Sequence, residues 1–309
     1  MLRSLTFVVL AALLAAAGCA PAGDDDTAIK SLLAASGYTS DDNAAAYGSE
    51  DSAVADGDPD PLPTTLDRTR PPFVRFRRHV RRAGITRTVN VTIPAYPGWP
   101  DTTALATITA HIHGTFFTTT DTARNHATAW RKPFHDVAVR RVLLGRDDAG
   151  WHIRKLTPLA FTTVDAAWDL RITRLTAANL VSGDTFVLTD PDTLLAKEQL
   201  PTWLPGDSVR ITLELASTGD SCWAFLHHGR PRRPNGLWRH PYLKLATLTF
   251  ERVWDINVET YDGPEIRPSC HDAIGWGSLY ADTTAPYVAV AWGLPYVVKQ
   301  TGDPYPAEE

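Results

Sequence analysis

From Phe7 to Ala17 the chain is apolar without a break, and no later apolar run approaches 18 residues. Eleven residues of helix span only about half of a ~30 Å hydrocarbon core, so with Arg3 in front the pattern predicts a signal-peptide core over 1–18 and not a membrane span. Residues 19–67 lose the apolar pattern. Asp, Ala, Gly, Ser and Pro dominate there, with one helical spacing, Ile29, Leu32 and Leu33, inside 27–35. That helix belongs either to the first folded unit or to the spacer. Order resumes at Pro71-Pro72. Phe73, Phe76 and Val80 share one helical face, Arg75, Arg78, Arg81 and Arg82 lie largely around the other, and Gly84 follows, so 73–82 reads as a helix.

Beyond Arg87 the period changes to two. Val89, Val91 and Ile93 alternate, then Ala106, Ile108, Ala110 and Ile112 face one way while Thr107, Thr109, His111 and His113 face the other. Strands over 136–144 and 151–156 complete an α+β unit, 68–163 with or without the 27–35 helix. From about Val164 short alternating segments recur at 169–175, 185–188, 208–215, 222–227, 243–253, 271–276 and 287–292. They are separated by turn chemistry and by one short helix capped at Asp190 and ended by Pro201. Seven strands in about 130 residues predict an all-β sandwich over 164–300, followed by a tail at 301–309.

Charge is uneven. Residues 19–67 carry eleven acidic side chains against Lys30, net −10, whereas 68–309 carry +4 inside a whole-chain net charge of −5. So mild an excess excludes nucleic acid as a partner. Apart from Cys19 there are two cysteines, Cys222 and Cys270, available either for one disulfide or as two buried thiols.

Leu14-Ala15-Ala16-Ala17-Gly18-Cys19 resembles the lipobox of bacterial lipoproteins. The resemblance implies cleavage before Cys19, acylation of that cysteine and contact with a membrane through the N-terminal lipid. Ala20, which is not Asp, then implies the outer membrane. The order of elements, with Val139–Leu144, a polar hairpin and the Gly150-Trp151 entry of 150–156, resembles the NTF2-like superfamily, which implies N-terminal helices lying against a curved antiparallel sheet. The C-terminal strand count resembles an immunoglobulin-type sandwich. As a whole the chain resembles uncharacterised bacterial lipoproteins.

Four residues are candidates for chemistry. His111 and His113 share a strand face, and His135 with Asp136 offers a further ligand or an acid–base partner. In an NTF2-like cone these would serve a hydrolase, dehydratase or isomerase. The histidines lie opposite the apolar set, however, which favours a solvent face. Seven arginines fall between Arg68 and Arg82, where they either bind phosphates of an anionic bilayer or lipopolysaccharide or form a solvated face. The loop with Arg230, Arg232, Arg233 and Trp238 is a candidate recognition surface for an envelope protein or glycan. Gly-x-Ser-x-Gly, His-Glu-x-x-His, phosphate-loop and Cys-x-x-Cys motifs do not occur, and no metal or cofactor is called for. The sequence therefore predicts an envelope lipoprotein that acts as a non-enzymatic binding module.

Overall fold

Alternation, not helical spacing, governs the chain from Arg75 onward. The structure is a computed structural model that describes residues 22–39, 75–119, 130–219, 221–229, 237–256, 261–279 and 284–307. The leader, Cys19, the acidic stretch from residue 40 onward and Arg230, Arg232 and Arg233 lie outside the described residues. Among the described residues, strand makes up 61% and helix 9%.

Three long strands, β1 (Arg75–Thr92), β2 (Thr103–Thr119) and β3 (Trp130–Asp147), form consecutive antiparallel hairpins. They are followed by β4 (Gly150–Leu156), β5 (Leu159–Thr163), β6 (Leu170–Asn179), β7 (Thr185–Leu188), β8 (Leu195–Ala196), β9 (Thr202–Trp203) and β10 (Ser208–Ser217). The chain ends with β11 (Cys222–Gly229), β12 (Leu237–Pro241), β13 (Leu243–Ala246), β14 (Thr249–Asp255), β15 (Glu265–Gly275) and β16 (Ala289–Val298). Helix α1 is Ala22–Ala35, and α2 is the single turn Trp276–Leu279.

An eleven-stranded sheet has the order β1-β2-β3-β5-β16-β15-β11-β12, with β4, β8 and β9 paired at its side. A five-stranded sheet, β13-β14-β10-β6-β7, forms the second layer. The layers meet through His228, 5.0 Å ring to ring from Trp254, and through Trp254, edge-on to Tyr296 at 4.9 Å. Strand β16, and β15 from Ser269 onward, are buried on both faces, which is why 287–298 reads as an almost unbroken apolar run.

The α+β reading is overturned. A mostly β molecule with one 14-residue helix and a curled antiparallel sheet does not fit an NTF2-like helix-plus-sheet domain. The decisive segment is 73–82. Phe76 and Val80 fit period two as well as a helical face, and from Arg75 onward the chain is extended as the start of β1, which puts Arg78 on their side. Arg78 consequently points inward, at 2% exposure. The large sheet also runs across the 163/164 boundary, since β5 pairs with both β3 and β16. Nor does 190–200 form a helix. Asp190 Oδ1 accepts from Asp192 N–H at 2.8 Å in a turn, followed by β8 and a 3-10 turn at Lys197–Gln199.

Helix α1 does cover 27–35, and it packs on the sheet through the fully buried Ile29 and Leu33. The Asp25 carboxylate anchors its first turn, accepting from Arg146 Nη1 at 2.8 and 2.7 Å and from Trp151 Nε1 at 3.0 Å. Behind it, Arg140 Nη1 donates to Tyr38 O at 3.0 Å and ties the post-helix turn to β3.

Gly114 marks the tightest approach in the hairpins. A Cβ there would lie 2.5 Å from the Phe134 ring and 2.7 Å from the His79 carbonyl oxygen, which is backbone and cannot swing away. Gly114→Ala should therefore destabilise the fold by about 1–3 kcal/mol, read as a lower urea midpoint at unchanged m-value.

Candidate functional site

The hairpins β1–β3 have two faces of opposite character, and each carries an unusual cluster. Alternation sends Phe76, Arg78, Phe116, Phe134, Asp136, Ala138 and Arg140 inward, where all are buried. The sheet curls until β1 approaches the far strands. Phe76 meets Phe225 of β11 at 4.7 Å, and Arg239 of β12 stacks 3.6 Å over the Phe76 ring while its Nη2 donates to Phe76 O at 2.6 Å. Inside the curl the Arg78 guanidinium grips Asp272 of β15 with both arms, Nη1 to Oδ2 at 2.7 Å and Nη2 to Oδ1 at 3.0 Å. Its Nε donates to the Tyr287 hydroxyl at 2.8 Å, which donates onward to Asp136 Oδ2 at 3.1 Å. Thr163 Oγ1 donates to Asp136 Oδ1 at 2.8 Å and accepts from Ala289 N–H at 2.9 Å. His227 completes the network, with Nε2 at 3.3 Å from Asp272 Oδ2.

Electrostatics explain how these charges stay buried. Burial alone would push the Asp272 carboxyl up, but the attraction of Arg78 and the hydrogen bond from His227 hold it below the usual carboxylate range. Burial pushes His227 down against the pull of Asp272, so it stays neutral. Arg239 falls to about 9, by burial first and by repulsion from Arg78 second. Cys270 stands across from His227 in the ladder, but burial and the Asp272 charge push its thiol well up, so it packs as an apolar group instead of acting as a nucleophile. On the opposite face of β15, His271 is pushed down to about 3 by burial and by His227, and Nδ1 lies 2.8 Å from the Tyr242 hydroxyl. The arrangement can hold charge and fix strands; its polar groups are turned onto each other.

The outer face is built in cross-strand rows. One row is Arg77–Phe117–Arg131, with the two guanidinium carbons 4.7 and 5.4 Å from the Phe117 centroid. Next comes His79–Thr115–Pro133, where His79 meets Phe117 edge-on at 6.2 Å. Then His113 faces His135, with rings stacked at 3.9 Å and 20°, and His111 Nδ1 lies 3.1 Å from His135 Nε2. Burial, then His113 and His111 in that order, lower the His135 pKa, with Asp165 opposing. Past the trio the rows mix hydroxyls with aliphatic side chains, Thr86–His111–Val137 and then Thr88–Thr109–Val139, with Val139 exposed.

The structure therefore brings His111, His113 and His135 together on the outer face and separates Asp136 from them. Consecutive strand residues point to opposite faces, so the Asp136 carboxylate lies inside the curl and cannot serve as acid–base partner to His135. The grouping of His111, His113, His135 and Asp136 in one NTF2-like cone falls with this split and with the fold. Stacked imidazoles direct their ring nitrogens side by side, and among the described residues no group of three or more His, Cys, Asp or Glu is placed to hold a metal ion. Cys222 and Cys270 are both buried and form no disulfide with each other. Cys222 faces Gly275 and Cys270 faces His227 in the same ladder, five positions apart. Trp238 lies opposite His228 in β12. Sequence reasoning missed Arg77, Phe117 and Arg131 as a unit, because only the β1–β2–β3 register aligns them. It also missed the inner network, whose partners are as much as 209 residues apart.

The chain matches no family model and no curated protein.

Two buried neutral histidines make stability depend on pH. His227 and His271 have folded pKa values below the ordinary ~6.5, so the folded state binds fewer protons than the unfolded chain in acid. Their contribution is complete above about pH 6.5 and declines as pH falls, for His271 down to about 3, by about 1.4 kcal/mol per pH unit for each histidine that stays neutral. Thermal midpoints should drop from pH 7 to pH 4, and His271→Gln should flatten that slope in a pH-resolved melting series.

Proposed function

We propose that the protein is an envelope lipoprotein, acylated at Cys19, that acts as a non-enzymatic binding module through the outer face of β1–β3. The carrying observation is the strip on that face: two arginines held against one phenylalanine, beside three mutually contacting histidines. Two partly solvent-facing guanidiniums kept in place by a ring between them offer donors at low entropic cost, which suits recognition. The tether reading rests on the lipobox-like Leu14–Cys19 and on the −10 stretch that separates it from β1. Ala20 in place of Asp supports an outer-membrane address, and the partner under this reading is an envelope protein or glycan.

Metabolic labelling with an acyl-chain analogue tests the anchor. Wild-type protein should carry the label and partition with membranes, while Cys19→Ala should lose the label and appear in the soluble fraction. An unlabelled wild type would overturn the lipoprotein reading.

A further inference from the structure

We infer that the outer face of β1–β3 binds a phosphate-bearing glycan chain, and that binding strengthens as pH falls because the ligand lies against a cluster of mutually contacting imidazoles. The inference rests on the proposed binding function and names its ligand class.

Three features of the face select this chemistry. Its cations are of two kinds at two places. The Arg77–Phe117–Arg131 row and the His113–His135 row are separated by one intervening row, so they lie about 13–14 Å apart along the strands. One phosphate group cannot bridge that distance, whereas a chain carrying repeated phosphates lies across both. Between the cationic rows sit Thr115 and the exposed ring of Pro133, and beyond the trio come Thr86, Thr88, Thr107 and Thr109 with the small aliphatic side chains of Val137 and Val139. Hydroxyls and a small apolar ring complement sugar hydroxyls and a pyranose face. A bilayer would instead require large apolar side chains to insert. Charge complementarity completes the case, because Arg77, His79, Arg131 and the trio face outward together and the carboxylate acting on His135 is Asp165.

The trio supplies the pH response. At neutral pH the short His111–His135 contact is one imidazole donating to another, and His113 stacks on the pair. Each proton added in acid creates a cation beside two other imidazoles, and a phosphate placed over them relieves that repulsion. Ligand binding should therefore draw protons onto the trio, and acid should tighten binding by the same linkage. The groups facing the trio are His79 from β1, Arg131 from β3 and Asp165 after β5, and Asp165 alone opposes the effect on His135.

The test uses the full mature protein in neutral detergent and measures binding to dextran phosphorylated as methyl phosphodiesters, whose charge is constant between pH 5.5 and 7.5, with neutral dextran and anionic phosphatidylglycerol vesicles as further arms. The inference expects binding to phosphorylated dextran that is about tenfold tighter at pH 5.5 than at pH 7.5 and weakened by salt. Arg77→Ser with Arg131→Ser should weaken binding at every pH, Arg77→Lys with Arg131→Lys should retain most of it, and His113→Gln with His135→Gln should remove the pH dependence. Unchanged melting temperatures exclude unfolding as the cause, since all four positions are on the outer face. Equal binding to neutral dextran, binding to the vesicles alone, or no binding to phosphorylated dextran would overturn the inference. A missing acyl group at Cys19 would overturn the tether alone, so the two readings fail separately.

Discussion

The Arg78–Asp272 ion pair joins the first strand of the large sheet to β15, and the curl of the molecule depends on it. Both side chains are essentially removed from water, 1% and 0% exposed, so neither charge has solvent to fall back on. A buried pair of this kind adds little net stability over a well-packed apolar pair, but breaking it leaves a bare charge inside and costs about 3–5 kcal/mol. It therefore acts as a specificity device. A flat or differently curled sheet would strand a guanidinium or a carboxylate, and the bidentate fit accepts one register. Tyr287, Asp136, Thr163 and His227 extend the constraint to the neighbouring strands. Arg239, on the Phe76 carbonyl, seals the edge.

Closing the inside this way determines what the outside offers. Small residues on the inner face of β16, Ala289, Ala291 and Gly293, leave room for the network beside them. The five-stranded sheet, the buried second half of β15 and the fully buried β16 lie away from this face. Among the described residues, the broad sheet face with charged and imidazole side chains turned outward is that of β1–β3. The same alternation that buries Arg78 thus presents Arg77 and His79, and the one that buries Asp136 presents His135.

Much of this was legible from the residues, and the failures have physical causes. Ile29 and Leu33 gave the first helix, and the Ala-x-Ile-x-Ala-x-Ile alternation of β2 placed His111 and His113 on the polar side. Asp136 should have been separated from His135 by period two alone, since neighbours in a strand cannot share a face. The 73–82 segment could not be read correctly in isolation. Treating it as a strand required burying an arginine, and the partner that makes this tolerable lies 194 residues away. The NTF2-like expectation was carried by the order of elements and by the 139–156 hairpin, and it fell because the described residues are mostly strand in a curled antiparallel sheet. The Arg77–Phe117–Arg131 row was equally invisible, because it exists only in the register of three strands.

A double-mutant cycle on Arg78 and Asp272, read by urea unfolding with amide exchange of β1 and β12, tests the closure most directly. The account predicts that Arg78→Met alone and Asp272→Leu alone each cost about 3–5 kcal/mol, and that the double variant costs far less than their sum. It also predicts that the single variants selectively lose protection at the β1 and β12 edges. Additive losses with exchange raised evenly over the whole sheet would contradict it, and would mean that the curl is held by packing alone.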